Sequence, residues 1–544
     1  MKKRESLKTL ALGGMVAVVA LSPAGMAQTP GSYKGNPAEE CKALAQPGRL
    51  PAIRITSATL ITDGGGMALP SFCEVVGEAS PAPGSRIGMV FRLPVNWNGK
   101  MLGIGGGGFA GNITLAGAAK GLARGYATFQ TDTGHSSPMP WDTAWAVNSD
   151  GAPNTQALLD FGFRAVHLTT QNAKTMAAAF YGAAQKYTYF EGCSQGGRQA
   201  IVASQRYPSD YDGIIAGAPA FSDNARISMS LISRAFRAPE SKLSRPQIKL
   251  VNDAALRACD GIDGLKDGII DNPAKCSWDP AELTCKAGED GDTCLSRPQV
   301  TAVRSAYTNH AGADGKTIAY GLPRGSELSS FPWFLALKED SQKETGYPYF
   351  GPAAGSAPDT DWNSNDVLAS YYNAKNSLFD LTYYAENPDI SSFASRGGKL
   401  IMWHGLYDLL LPPQPFIDYY DSMRRVTATQ LNASGFRKPV DDSVQLFTAV
   451  GVSHCMGGVG PSDFDGLTAL ENWVEKGQRP TRLIAKSASP QMAAMAAAFF
   501  NEVPADTHVP MSRPMCPWPT LPHYNGKGDP NDAASFSCTA RARE

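Results

Sequence analysis

Gly192-Cys193-Ser194-Gln195-Gly196-Gly197-Arg198 holds the residues of this chain best suited to do chemistry. It follows the strand-like run Tyr187-Thr188-Tyr189-Phe190 and leads into the helix-compatible Gln199-Ala200-Ile201-Val202-Ala203-Ser204. Gly-x-Ser-x-Gly between a strand and a helix is the pattern of a nucleophile elbow, in which glycines let the backbone turn sharply and lift a serine hydroxyl above a sheet. A Gly-rich turn alone produces the same letters by chance; the flanking strand and helix favour a nucleophile at Ser194. A hydroxyl needs a base, and the base an orienting acid, in the chain order Ser, Asp or Glu, His. Asp408 follows the strand-like Lys399–Trp403, and His454 follows Val444–Phe447. Only seven histidines compete for the role. His404 precedes Asp408 and sits too near its strand, so it reads as a structural neighbour. His135 precedes the serine and reads as shaping the pocket floor.

The cysteines supply a separate test. Cys193 immediately precedes Ser194 and Cys455 immediately follows His454. If nucleophile and base approach within ~3 Å for proton transfer, their neighbours come within the ~4.4–6.8 Å Cα separation a disulfide permits. Ester cleavage also needs donors for the tetrahedral oxyanion: the backbone N–H after the nucleophile, here Gln195, and one from a Gly-rich loop after an early strand. That loop is Gly105-Gly106-Gly107-Gly108-Phe109. A phosphate-cradling reading fails, because no Lys-Ser/Thr or dinucleotide fingerprint spacing follows.

Elements of the right kind surround these residues. Met89–Leu93, Lys100–Ile104, Tyr126–Phe129, Tyr187–Phe190 and Gly213–Gly217 have strand length and composition, and Leu158–Tyr181 reads as one helix. The alternation implies an α/β parallel sheet, and it resumes with Lys399–Trp403, Val444–Phe447 and a helix over Leu467–Val474. Between them the texture turns to Gly, Pro, Asp and aromatics, which fits an insertion into one sheet. The 544 residues, 43% hydrophobic and 18% charged, support a sizeable core, and 49 Lys+Arg against 50 Asp+Glu give no electrostatic footprint for nucleic acid or an acidic membrane. Met1-Lys2-Lys3-Arg4, an apolar run over Thr9–Ala20 and Ser22–Ala27 form a signal peptide with cleavage expected after Ala27, so no membrane segment should remain. Export to an oxidising compartment, secreted or periplasmic, makes the ten cysteines disulfides rather than reactive thiols.

Cys-Ser … Asp … His-Cys resembles the tannase and feruloyl esterase family of secreted serine esterases, which includes terephthalate half-ester hydrolases; the resemblance spans essentially the mature chain. It implies an α/β-hydrolase fold with a large inserted lid: catalytic domain 28–220, lid 221–390, catalytic domain resumed over 391–544. It carries the triad onto Ser194, Asp408 and His454, and the second oxyanion donor onto Gly108, with Gly107 close behind. In the insertion, Asp260, Asp263 and Asp267 crowd a Gly-rich turn that lacks the EF-hand closing Glu; as a bare sequence this is equally a solvated acidic turn or a calcium loop. The family makes it a structural calcium site, with Leu265 and Ile269 contributing backbone. The remaining cysteines group by proximity as Cys41 with Cys73, Cys259 with Cys276, Cys285 with Cys294 and Cys516 with Cys538; sequence leaves connectivity open, and the family pattern supports these pairs. The resulting expectation is a hydrolase of aromatic-acid esters, feruloyl or galloyl, working on small molecules; the oligomeric state is open. Trp333 is chosen from the lid aromatics, which include Phe331, Phe334, Tyr347, Tyr349 and Phe350, as the substrate contact, although all could be lid core. No lid arginine stands out as a carboxylate clamp, which weakens the half-ester reading. A serine peptidase is one rival, and a non-catalytic calcium-dependent binding protein on the same scaffold is another.

Overall fold

The computed structural model describes residues 35–137, 139–140, 142–289, 291–328, 333, 336–337, 372, 375, 377–490 and 510–540. The segment expected to be a signal peptide, residues 1–27, and Phe331, Phe334, Tyr347, Tyr349 and Phe350 lie outside them. Eleven strands build one sheet: β1 (Arg54–Ile61), β2 (Phe72–Ala79), β3 (Ile87–Pro94), β4 (Lys100–Ile104), β5 (Ala127–Thr131), β6 (Tyr187–Cys193), β7 (Gly213–Gly217), β8 (Lys399–Gly405), β9 (Val444–Ala449), β10 (Leu483–Lys486) and β11 (Ser512–Pro517). Their spatial order is β1-β2-β3-β5-β4-β6-β7-β8-β9-β11-β10. The run from β5 to β9 is parallel, and the outer strands join it antiparallel. This is the α/β-hydrolase fold.

The parallel strands are continuous apolar runs because helices cover both faces of the sheet. Every residue of β7 and β9 is buried. Ala165–Tyr181 and Pro413–Ala433 pack Met176, Phe180, Phe416 and Met423 into one face. Gly466–Lys476 places Leu467, Leu470 and Trp473 against the other.

β7 and β8 are immediate neighbours, with Leu400 opposite Ile214 and Trp403 opposite Gly217. The whole chain between them therefore leaves the sheet and returns beside its point of departure. It forms a core of its own around Phe236, Val251, Trp278, Leu295 and Val303, and this core includes Tyr407 and Leu409. The inserted segment is thus anchored on the loop that carries Asp408.

The helix expected over Leu158–Tyr181 is interrupted. Thr155–Leu159 is helical, Asp160–Arg164 opens into a wide π-turn, and the α-helix resumes at Ala165. Asp160, 1% exposed, accepts hydrogen bonds from Ser85 Oγ at 2.6 Å and Arg164 Nε at 2.5 Å. Hydrophobic periodicity does not register such a turn, which is set by polar contacts to distant segments.

Candidate active site

Ser194 sits between β6 and the helix Gln195–Arg206 at φ +63° and ψ −121°, a conformation that costs ~1–3 kcal/mol outside glycine. The turn is held from both sides: Ser194 N–H donates to Gly217 O at 3.0 Å, and Ser194 O accepts from Ala220 N at 3.1 Å. Small residues are required where the next loop crosses. A Cβ on Gly105 would lie 2.4 Å from Gly196 Cα.

That crossing loop is the expected oxyanion loop. Gly105 N–H donates to Glu191 O at 2.9 Å, Gly106 N–H to Gln199 Oε1 at 3.0 Å and Phe109 N–H to Pro140 O at 2.7 Å. Gly108 takes φ +55°, and a Cβ there would stand 2.5 Å from Pro140 O. Phe109 O is bonded by Trp145 Nε1 at 3.2 Å and by His135 Nε2, whose ring stacks on Trp145. Burial pulls the His135 pKa below its ordinary value, which favours the neutral ring. His135 thus braces the loop.

Asp408 is completely buried on the loop after β8. Its Oδ1 accepts from Leu410 N at 3.1 Å and Leu411 N at 2.9 Å; its Oδ2 lies 2.8 Å from His454 Nδ1 and 3.1 Å from His404 Nε2. Because His404 Nε2 is also 2.8 Å from Leu411 O, an acceptor only, that nitrogen carries the proton and donates to both. Burial by itself would raise the Asp408 pKa. The charge of His454 and hydrogen bonds from both histidines outweigh it and hold the carboxyl well below the usual range. His404, expected only as a structural neighbour, bonds directly to the acid.

Cys193 and Cys455 are bonded, with Cα atoms 6.0 Å apart. Ser194 and His454, adjoining them in the chain, are tied into one region by this bridge. The other four pairs are Cys41–Cys73, Cys259–Cys276, Cys285–Cys294 and Cys516–Cys538, as expected.

Ser194, Gln195 and Gly108 line a cavity that spans about 600 Å³ when the solvent at its mouth is counted. Phe109, Phe379 and Tyr383 supply aromatic wall, and Leu410 and Leu411 connect it to the acid loop. Arg226, on the inserted helix Asn224–Ala235, also lines it. Asp223 holds this arginine bidentately at 2.7 and 2.6 Å, and Tyr384 Oη donates to the same carboxylate at 2.6 Å. In sequence, Asp223 and Arg226 look like an ordinary surface pair. Trp333 needs correction as a substrate contact: it is 1% exposed and packs between Phe236 and Tyr307 in the core of the insertion, away from the cavity wall.

In the acidic turn, Asp260 accepts from Gly268 N at 3.1 Å, Asp263 from Leu265 N at 3.0 Å, and Asp267 pairs with Arg513 at 2.5 Å. Burial, with repulsion from neighbouring carboxylates, raises the pKa of Asp260 and Asp267. Among the described residues no group of three or more His, Cys, Asp or Glu side chains is placed to hold a metal ion. The turn's carboxylates and carbonyls are oxygen groups of the kind a hard cation takes.

An elbow serine, an acid–histidine pair on the loops after β8 and β9, and an insertion between β7 and β8 define an α/β-hydrolase whose cavity lies at the carboxyl ends of its strands. The chain belongs to the tannase and feruloyl esterase family, whose model matches residues 73–539, and family members are carboxylic ester hydrolases. It is 31% identical to the mono(2-hydroxyethyl) terephthalate hydrolase of Piscinibacter sakaiensis, over 87% of this chain and 85% of that one. It is 30% identical to a probable feruloyl esterase of Arthroderma benhamiae, over 82% and 81%. The crystal structure of feruloyl esterase B from Aspergillus oryzae superposes with a TM-score of 0.76 at 25% identity, covering 93% of this chain and 100% of that one.

Proposed function

We propose that this protein hydrolyses esters of aromatic acids through a serine acyl-enzyme. The observation that carries the reading is the Asp408–His454 pair, 2.8 Å apart and tied by Cys193–Cys455 to the strained elbow of Ser194. Asp408 fixes the imidazole with Nδ1 protonated, leaving Nε2 as the base. His454 takes the Ser194 proton as Oγ attacks the ester carbonyl. The carbonyl oxygen becomes an oxyanion, held by the N–H groups of Gln195 and Gly108. Collapse expels the alcohol, which receives the proton from His454; water then repeats the sequence on the acyl-enzyme and releases the acid.

The acyl group is aromatic in this reading because Phe109, Phe379 and Tyr383 line the cavity beside Ser194. Arg226 is already matched by Asp223, so the polar end suits a phenolic hydroxyl, as in feruloyl or galloyl groups. A second reading, a terephthalate half-ester, is favoured by Arg226 itself, a cation at the wall. The segment 221–390 acts as the lid. Calcium belongs to the same reading as a structural ion of the Asp260–Ile269 turn, supported by its crowded like charges; Asp260 and Asp263 would turn toward it from backbone N–H groups and Asp267 from Arg513, with Leu265 and Ile269 adding carbonyls. Export to an oxidising compartment, secreted or periplasmic, is supported by the five disulfides.

The test is kcat/KM for methyl ferulate, methyl gallate, mono(2-hydroxyethyl) terephthalate and a peptide amide. Preference for the phenolic esters supports the reading, and preference for the half-ester supports the second. Cleavage of the amide alone, or of none, refutes both.

A further inference from the structure

Arg198 is completely buried, yet no carboxylate among the described residues pairs with it. A buried cation is costly, so its partners show what it is kept for. Nε donates to Gln195 Oε1 at 2.9 Å. Nη1 donates to Gly162 O at 2.8 Å and Tyr383 O at 2.9 Å, and Nη2 to Phe161 O at 2.9 Å. Its plane also lies over the Tyr383 ring, 4.5 Å from the centroid. Three of these partners bear on the cavity. Gln195 and Tyr383 line it, and Phe161 packs against Phe109 and Tyr383. Phe161 and Gly162 lie within the π-turn Asp160–Arg164.

The Gln195 side chain is committed in the same way. Its Oε1 accepts from Arg198 Nε and from Tyr383 Oη at 3.2 Å, while its buried Nε2 has no hydrogen-bond partner among the described residues. Arg198 can only donate, so Oε1 must face it.

We propose that Arg198 is the positioning residue of the oxyanion hole. It clamps the residue after the nucleophile to the cavity wall, so that Gln195 N–H and the ring-binding surface keep one register during turnover. The proposal rests on the serine esterase reading and adds a residue that touches neither substrate nor nucleophile. Burial lowers the Arg198 pKa only to about 10, so the clamp is charged throughout the working range of an esterase.

The experiment compares wild type, Arg198→Lys, Arg198→Met and Gln195→Leu. Gln195→Leu keeps the backbone N–H and all Arg198 bonds to carbonyls, and it serves if the Arg198 variants do not fold. Three quantities are read at a temperature where each variant is folded: kcat and KM for methyl ferulate, affinity for a trifluoromethyl ketone analogue of that ester, and affinity for ferulate. Removal of an oxyanion donor costs ~10²–10³-fold in kcat, so misplacing one should cost ~10–10²-fold. The expected result is that loss in kcat, with KM within about threefold. Affinity for the ketone should fall in parallel and affinity for ferulate should stay level, with Arg198→Lys intermediate. Unchanged kcat, or ketone and ferulate affinities falling together, overturns the proposal. Stoichiometric labelling of wild-type Ser194 by a fluorophosphonate is measured alongside: if it fails, the serine esterase reading is what has failed, and Arg198 loses its assigned role with it.

Discussion

Asp408 carries the strongest electrostatic commitment in the site, and its replacement gives the sharpest residue-scale test. Asp408→Asn keeps the shape but loses the acceptor that fixes the His454 tautomer; kcat should fall ~10⁴-fold with KM little changed. The carboxyl is depressed in the folded protein. Its stabilisation is therefore complete above its unfolded value of ~3.9 and is lost as pH falls through the lower folded value. His404→Leu removes one of the bonds responsible. The variant's folded value should rise toward the unfolded one, lowering the neutral-pH plateau of stability and making the decline on acidification shallower. Melting temperatures from pH 7 to pH 3 check this; parallel curves for wild type and variant would contradict it. Ser194, Asp408 and His454 were legible because each follows a recognisable strand. The bond from His404 to Asp408 was not, because it depends on a loop folding back over β8.

At the scale of elements, the Gly105–Phe109 loop and the elbow are fitted backbone to backbone. Gly108→Ala must relieve both φ +55° and a contact at 2.5 Å with Pro140 O. It should lower kcat ~10²–10³-fold, as loss of an oxyanion donor does, and destabilise by more than ~1 kcal/mol, measured by urea unfolding beside ester kinetics. Exchanging both Cys193 and Cys455 for alanine opens a loop of 262 residues. The chain-entropy model assigns that closure ~5–6 kcal/mol, and the freed Ser194 and His454 should lose ~10²-fold in kcat where the variant remains folded. Strands β4 to β9 were readable because strands covered on both faces are uninterrupted apolar runs. β1, β2, β10 and β11 lie outside the strands named from sequence; β1 has no fully buried position to mark it. The π-turn escaped for a different reason: its cause lies in Ser85 and Arg198, far along the chain.

The molecule is organised around one eleven-stranded sheet, two of whose neighbouring strands, β7 and β8, are joined through the insertion. That insertion contributes Arg226 and Tyr383 to the cavity and rests on the loop of Asp408. Its existence is legible in the change of texture after Phe221, but its cavity residues are not: Trp333, an aromatic expected to stack on a substrate ring, is buried between Phe236 and Tyr307 instead. If calcium stiffens the Asp260–Ile269 turn, chelation should lower the melting temperature while turnover at moderate temperature persists, and Asp263→Asn should reproduce part of the shift. Loss of turnover at unchanged melting temperature would oppose a structural ion. The central claim is that Ser194 carries the acyl group, and rapid quenching of the enzyme with an activated ester of ferulic acid, followed by peptide mass analysis, tests it most directly. The account predicts a burst approaching one alcohol per enzyme and a feruloyl adduct on the peptide containing Gly192-Cys193-Ser194, absent in Ser194→Ala. Turnover with no burst and no adduct, retained by Ser194→Ala, would contradict it.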